Sequence, residues 1–150
     1  MIDTSLEKGN EMSVVAGVDD SPVSKLVVER AIEQARLRGT DVHLAHVAYA
    51  PMVYADVPIN WAEVVEAQRN AVWSQLEPAI AASDVPVVKV DLDGYPPDSL
   101  VAYANDQQAS LLVVGTRGRG DFASLILGST SHRAIHLSEC DVLVVKTPEE

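Results

Sequence analysis

Two periods of apolar residues alternate along the chain. Ser13–Val18 (SVVAGV) is a short run rich in valine, as expected of a strand covered on both faces. After DDSP the period lengthens, and Val23, Leu26, Val27, Ala31 and Ala35 recur at helical spacing before Gly39. Ser21 suits the N-cap of this helix, and Pro22 its first position, where the missing N–H costs nothing. Residues 41–50 (DVHLAHVAYA) read as a second strand. Beyond Pro51 and Pro58, one face of a long helix is marked by Trp61, Val64, Val65, Val72, Leu76 and Ile80. VPVVKVDL (85–92) predicts a third strand, and Pro86 and Lys89 assign it to a sheet edge. A third helix runs from Pro97 to about Gln108, with Leu100, Val101 and Ala104 inward. SLLVVG (110–115) gives a fourth strand, Ser129–Leu137 a last helix, and DVLVVK (141–146) a fifth strand.

Strands alternating with helices imply right-handed crossovers and a parallel sheet with helices on both faces. The expected fold is therefore a five-stranded α/β three-layer sandwich, a single domain over residues 12–150, with no internal repeat. MIDTSLEKGNE (1–11) reads as a solvated tail. Such sheets bind ligands beyond the carboxyl ends of their strands, where the strand order reverses. DDS after strand one and the loop after strand four are the places where chemistry is expected.

Composition narrows the partners. The chain has 150 residues, 47% of them hydrophobic and 22% charged, which are globular values. Its net charge of −11 argues against nucleic acid or an anionic membrane surface. Cys140 is the single cysteine, which excludes an intramolecular disulfide and a cysteine metal cluster. No apolar stretch approaches the roughly 18–20 residues of a membrane span, and the first residues do not read as a signal peptide. The expected compartment is the cytoplasm.

The loop after strand four, GTRGRGDFASLILGSTS from Gly115, holds the candidate chemistry. Gly115, Gly118 and Gly120 can take positive φ and turn N–H groups toward an anion. Gly128-Ser129-Thr130-Ser131 then opens a helix whose dipole and unpaired N–H groups favour negative charge. Hydroxyls at 129–131 can cap that helix or bond phosphate oxygens. His132 and Arg133 oppose the dipole unless an anion lies there. G-x-x-x-x-G-K-[ST] is absent, and G-x-G-x-x-G fails on spacing and follows the wrong strand.

Gly115-x2-Gly118-x9-Gly128-Ser129 matches G-2x-G-9x-G-[ST], and through it the sequence resembles the ATP-binding universal stress proteins. VVAGVDDSPVS looks like that family's first strand and turn, HLAHV like its second strand, and GSTSHRAIHLSECDVLVVK like its closing helix and strand. His132, where an acidic residue is frequent, and Asp141, in place of a usual proline, depart from the pattern. The resemblance implies strand order 3-2-1-4-5, a homodimer, and ATP across the ends of strands one and four, with Mg2+ held by the phosphates. It implies that Asp19 bonds the ribose hydroxyls, that Gly17 and Val18 line the base, and that the main chain of Val47 reads adenine. Val114, Gly115, Gly118, Gly128, Ser129, Thr130 and Ser131 would surround ribose and phosphates. To these the residues themselves add Arg117, whose guanidinium suits a terminal phosphate.

Other readings compete. A phosphoacceptor receiver domain shares the architecture and would use Asp19 and Asp20, Asp91 or Asp93, Thr116 and Lys146. Its spacings are wrong, because the gap from Asp20 to Asp91 is much too long. A cyclic-nucleotide site, or a dimeric interaction module without nucleotide, is the further alternative. Asp19 and Asp20 also suit plain turn and cap roles. His46 reads as a satisfied inner histidine, and His43, His132 and His136 show no convergent partners, so no metal site is assigned. No base or nucleophile is placed by motif, so no catalytic residue is assigned and at most slow ATP hydrolysis is expected. Strand five, Val142–Lys146, offers Val142, Leu143, Val144 and Val145 without a break of the kind that protects strand three, and is the expected dimer contact.

Overall fold

The structure, a computed structural model, describes residues 12–49, 58–116 and 127–146. In chain order the elements are β1 (Val14–Gly17), α1 (Ser24–Arg38), β2 (Val42–Ala48), α2 (Trp61–Ala81), β3 (Val87–Asp93), α3 (Pro96–Asp106), β4 (Leu111–Gly115), α4 (Ser129–Leu137) and β5 (Asp141–Val145). The five strands form one parallel sheet in the order β3-β2-β1-β4-β5.

Strand periodicity divides the core into two layers. In β1, Val14 and Ala16 pack toward α1 and α2, while Val15 packs toward α3 and α4. In β4, Leu111 and Val113 take the first side and Leu112 and Val114 the second. Because β1 and β4 are central and covered twice, their sequences are nearly all apolar. The first layer is closed by Val27, Val28, Ala31 and Ala35 of α1 with Val72 and Leu76 of α2. Leu100, Val101 and Ala104 of α3 with Ala134 of α4 close the second.

Local endings agree with the sequence at one end of α1 and depart from it at the other. Gly39 caps the C-terminus in the left-handed conformation, at φ 66°. At the start, Ser21 is not a side-chain cap; Val23 is the N-cap residue and no side chain caps it. Residues 21–23 form a turn instead, with the Ser24 N–H donating to the Ser21 carbonyl at 3.1 Å. The carboxylate of Asp19 organises that turn, which displaces the helix start to Ser24.

The strand order leaves β3 and β5 at the edges. Lys89 of β3 pairs with Glu77 of α2 at 3.5 Å and lies 6.0 Å from the Trp73 ring centroid. No helix among the described residues is long and apolar enough to cross a membrane.

Candidate functional site

A cavity of about 910 Å3 opens beyond the carboxyl ends of β1, β2 and β4, a volume within the range of small-molecule sites. The starts of α1, α3 and α4 close three sides. Val64, Ala67 and Ala71 of α2 close another. The first half of α2 thus has an apolar face without a fully buried residue, because that face lines the cavity and not the core.

Asp19 is the hub of the β1–α1 loop. Its Oδ1 accepts from the Ser21 N–H at 2.8 Å and from the Ser24 hydroxyl at 2.9 Å, while its own N–H donates to Ser24 Oγ at 2.9 Å. Both bonds to the carboxylate use Oδ1; none among the described residues uses Oδ2. The turn role and an acceptor oxygen that no described residue engages therefore coexist in one side chain. Just before it, the Val18 N–H continues the ladder to the Ala45 carbonyl at 2.9 Å. A Cβ on Gly17 would collide with the Leu100 side chain, so the glycine permits close packing of α3 on β1.

On the other side of β1, the start of α4 is held by backbone bonds. Gly128 donates its N–H to the Thr116 carbonyl, and Thr116 donates its N–H to Val145 at 2.9 Å. The Ser131 hydroxyl is fully buried and donates toward the carbonyls of Gly128 (3.1 Å) and Thr116 (3.3 Å). The first helical bond runs from the His132 N–H to the Gly128 carbonyl. It leaves the N–H groups of Ser129, Thr130 and Ser131 without a helical acceptor at the cavity wall. They lie at the positive end of the α4 dipole, an arrangement that favours negative charge.

Two details differ from the sequence reading. Gly115 is the last residue of β4, paired with Val145, and Gly128 is extended at φ −74°, ψ 171°. Among the described residues only Gly39 and Gly94 are left-handed glycines, so neither Gly115 nor Gly128 is needed for a positive φ. Arg133 gives no sign of an anion, because its Nε donates to Asp98 of α3 at 2.8 Å. Arg117, Gly118 and Gly120 lie outside the described residues.

The cavity gathers Gly17, Val18, Asp19, Val47, Val114, Gly115, Gly128, Ser129, Thr130 and Ser131. It also takes in Asp20, Ser21, His46, Tyr49 and Tyr95, which the sequence reading did not assign to it. No Lys or Arg is among the described residues that line it.

His46 departs from the expectation of a satisfied histidine. It is 5% exposed, and its Nδ1 has no hydrogen-bond partner among the described residues. It meets Trp73 edge-on at 6.4 Å between centroids. Burial holds its pKa below the ordinary imidazole value, against the opposing charges of Asp91, Asp19 and Asp20. Ser21 is likewise 5% exposed, with Oγ unpartnered. Each such atom costs roughly 1–3 kcal/mol while it lacks a partner.

Elsewhere, His43 does have convergent partners: Tyr103 OH lies 2.7 Å from Nδ1, and Asp41 and Ser13 each lie 3.3 Å from Nε2. Serine and aspartate face the same ring nitrogen, so this is no nucleophilic relay, which needs them on opposite nitrogens. Desolvation raises the Tyr103 pKa, and the Asp41 charge adds to the shift. The residues of a receiver mechanism are occupied otherwise: Asp91 accepts from Trp73 Nε1 at 2.9 Å, and Asp93 pairs with Arg69 at 2.8 Å. No cluster of three His, Cys, Asp or Glu able to hold a metal exists among the described residues.

Known proteins resemble this chain in sequence and in fold. A universal stress protein of Mycobacterium tuberculosis H37Rv is 35% identical over 149 residues, covering 91% of this chain and 44% of that protein. The chain thus spans less than half the length of such curated relatives. A universal stress protein solved in complex with cAMP is 25% identical with TM-score 0.68, over 89% of this chain and 96% of that one. The Archaeoglobus fulgidus universal stress protein in complex with dAMP is 23% identical with TM-score 0.69, over 90% and 98%. The family model for universal stress proteins matches residues 12–146. With that span, this chain belongs to the universal stress protein family.

Proposed function

We propose that the cavity binds an adenine nucleotide, with ATP as the ligand, and that the chain acts as a nucleotide-dependent signalling module of the stress response. One observation carries the reading: a single cavity joins the acceptor Asp19 on one side of β1 to three N–H groups without a helical acceptor on the other. A nucleotide has the matching polarity, with a diol to donate at one end and phosphate oxygens to accept at the other. Relatives solved with cAMP and dAMP support the adenine class.

In this reading Asp19 bonds the ribose and Gly17 and Val18 line the base, while the Val47 main chain reads the adenine edge. Val114, Gly115, Gly128, Ser129, Thr130 and Ser131 surround ribose and phosphates. Gly128 shapes the approach, since its N–H is taken by Thr116. Arg117 and Gly118 complete the phosphate end. Mg2+ is held by the phosphates, and no protein ligand set is assigned to it. Binding, with no catalytic residue, is the activity. The functional unit is a homodimer through β5, whose apolar edge lacks the Pro and Lys that guard β3. Mass spectrometry of a denatured extract of the purified protein should release ATP, and calorimetric titration should rank ATP above AMP and cAMP. A protein that releases no adenine nucleotide and binds none in titration refutes the reading.

A further inference from the structure

Among the described residues, His46 and Ser21 are the two cavity-lining side chains that are buried and hold an unpartnered polar atom. Their place in the fold says which half of a ligand they face. His46 lies in β2, on the opposite side of β1 from β4. Ser21 belongs to the loop that Asp19 organises, and its N–H is 2.8 Å from Asp19 Oδ1. The first N–H groups of α4 lie at the end of β4, where Gly128 bonds Thr116, so two strand spacings, about 10 Å, separate them from β2. A hydroxyl and a neutral imidazole each can donate or accept. Base edges and ribose hydroxyls present both kinds of partner, whereas fully ionised phosphate oxygens only accept.

We propose that His46, through Nδ1, and Ser21, through Oγ, hydrogen-bond the nucleoside half of the nucleotide and help set the specificity of the site. The inference rests on the adenine-nucleotide reading above. His46 occupies the same strand as Val47 but the opposite face, beside Trp73. It reaches the ligand with a side chain from the α2 side, while Val47 offers main-chain groups. A ligand that bonds these two atoms removes the standing cost of leaving them without partners.

The experiment compares wild type, His46→Leu, His46→Asn and Ser21→Ala. Each is titrated calorimetrically with ATP and with inorganic triphosphate, and the melting temperature of each free protein is recorded. His46→Leu and Ser21→Ala should each weaken ATP about three- to tenfold, the worth of one hydrogen bond, and leave triphosphate unchanged. Their free melting temperatures should equal or exceed the wild-type value, because an unpartnered buried atom has been removed. His46→Asn, whose amide falls near the position of Nδ1, should recover much of the ATP affinity. Wild-type ATP affinity in both His46→Leu and Ser21→Ala overturns this inference alone. So does an ATP loss matched by triphosphate, or one accompanied by a lower melting temperature. A wild-type protein that binds no adenine nucleotide overturns the site reading itself, and this inference with it.

Discussion

Asp19 and Ser24 bond each other twice: the Asp19 N–H donates to Ser24 Oγ, and that hydroxyl donates to Asp19 Oδ1, both at 2.9 Å. The pair fixes the β1–α1 loop through Oδ1, and Asp19 lines the cavity. Asp19→Asn keeps an oxygen for the loop and removes the charge. ATP binding should weaken about tenfold or more, corresponding to roughly 1.5–3 kcal/mol for a charge-assisted hydrogen bond. Inorganic triphosphate should bind as before. Tighter ATP binding in calorimetry would place Asp19 opposite phosphate and not ribose.

Gly17 and Leu100 make a second test, of packing. Gly17→Ala forces a Cβ into the buried Leu100 side chain, and such overpacking costs about 1–3 kcal/mol. Leu100→Val withdraws the obstructing methyl, so the double variant should be more stable than the sum of the single changes predicts. Additive urea unfolding energies would show that the two side chains do not meet.

The Ser131 hydroxyl bonds toward the carbonyls of Gly128 and Thr116 from a fully buried position. Ser131→Ala should lower stability by about 0.5–1.5 kcal/mol. ATP should also bind more weakly, because the first turn of α4 loses its anchor. Unchanged ATP affinity alongside reduced stability would limit Ser131 to holding the fold.

The His46 imidazole, buried against α2, faces Asp91 of β3, Asp19 and Asp20 of the β1–α1 loop, and Arg69 of α2. Burial outweighs the three carboxylates and lowers its pKa. The unfolded chain, titrating near about 6.5, then binds a proton that the native protein refuses. Stability should fall as pH drops below that value and level off once the native histidine also charges. Urea midpoints at about pH 7.5 and about pH 5.5, across the imidazole range, should show wild type losing more than His46→Asn. Parallel losses in the two proteins would assign the pH effect to other groups.

Strand β5 presents an apolar edge with no proline or lysine within Asp141–Val145. Val144→Pro removes a ladder donor and inserts a ring, and it should yield monomer or aggregate by light scattering with in-line chromatography. Wild type running as monomer at tens of micromolar, within the usual range for dimers, would remove the β5 interface.

Where a residue's role follows from period or backbone preference, the sequence revealed it. Valine runs gave the central strands, Gly39 its helix end, and Pro86 with Lys89 the edge position of β3. Both ends of α4, Ser129 and Leu137, were legible from the hydroxyl-rich start and the strand that follows. The start of α1 was not, because the choice between a Ser21 cap and an Asp19-centred turn depends on where Ser24 lies in space. His46 was misjudged for a related reason. Alternation buries it beside Leu44, but an unpartnered nitrogen becomes visible only when every neighbour has been placed. Asp20, Ser21, Tyr49 and Tyr95 lie in loops or at their margins, where no period points toward a shared space.

The bond from the Gly128 N–H to the Thr116 carbonyl has an evolutionary consequence. It brings the ends of an excursion together and anchors them to β5 through Thr116 and Val145, whatever sequence lies between. Once the ends of a connection are pinned, doubling its length costs only about 0.6 kcal/mol in closure entropy. Insertions and deletions between Thr116 and Gly128 should therefore take little toll on the sheet. A sheet closed in this way can accept new sequence between its two pinned ends, so descendants can diverge there before they diverge in how they fold.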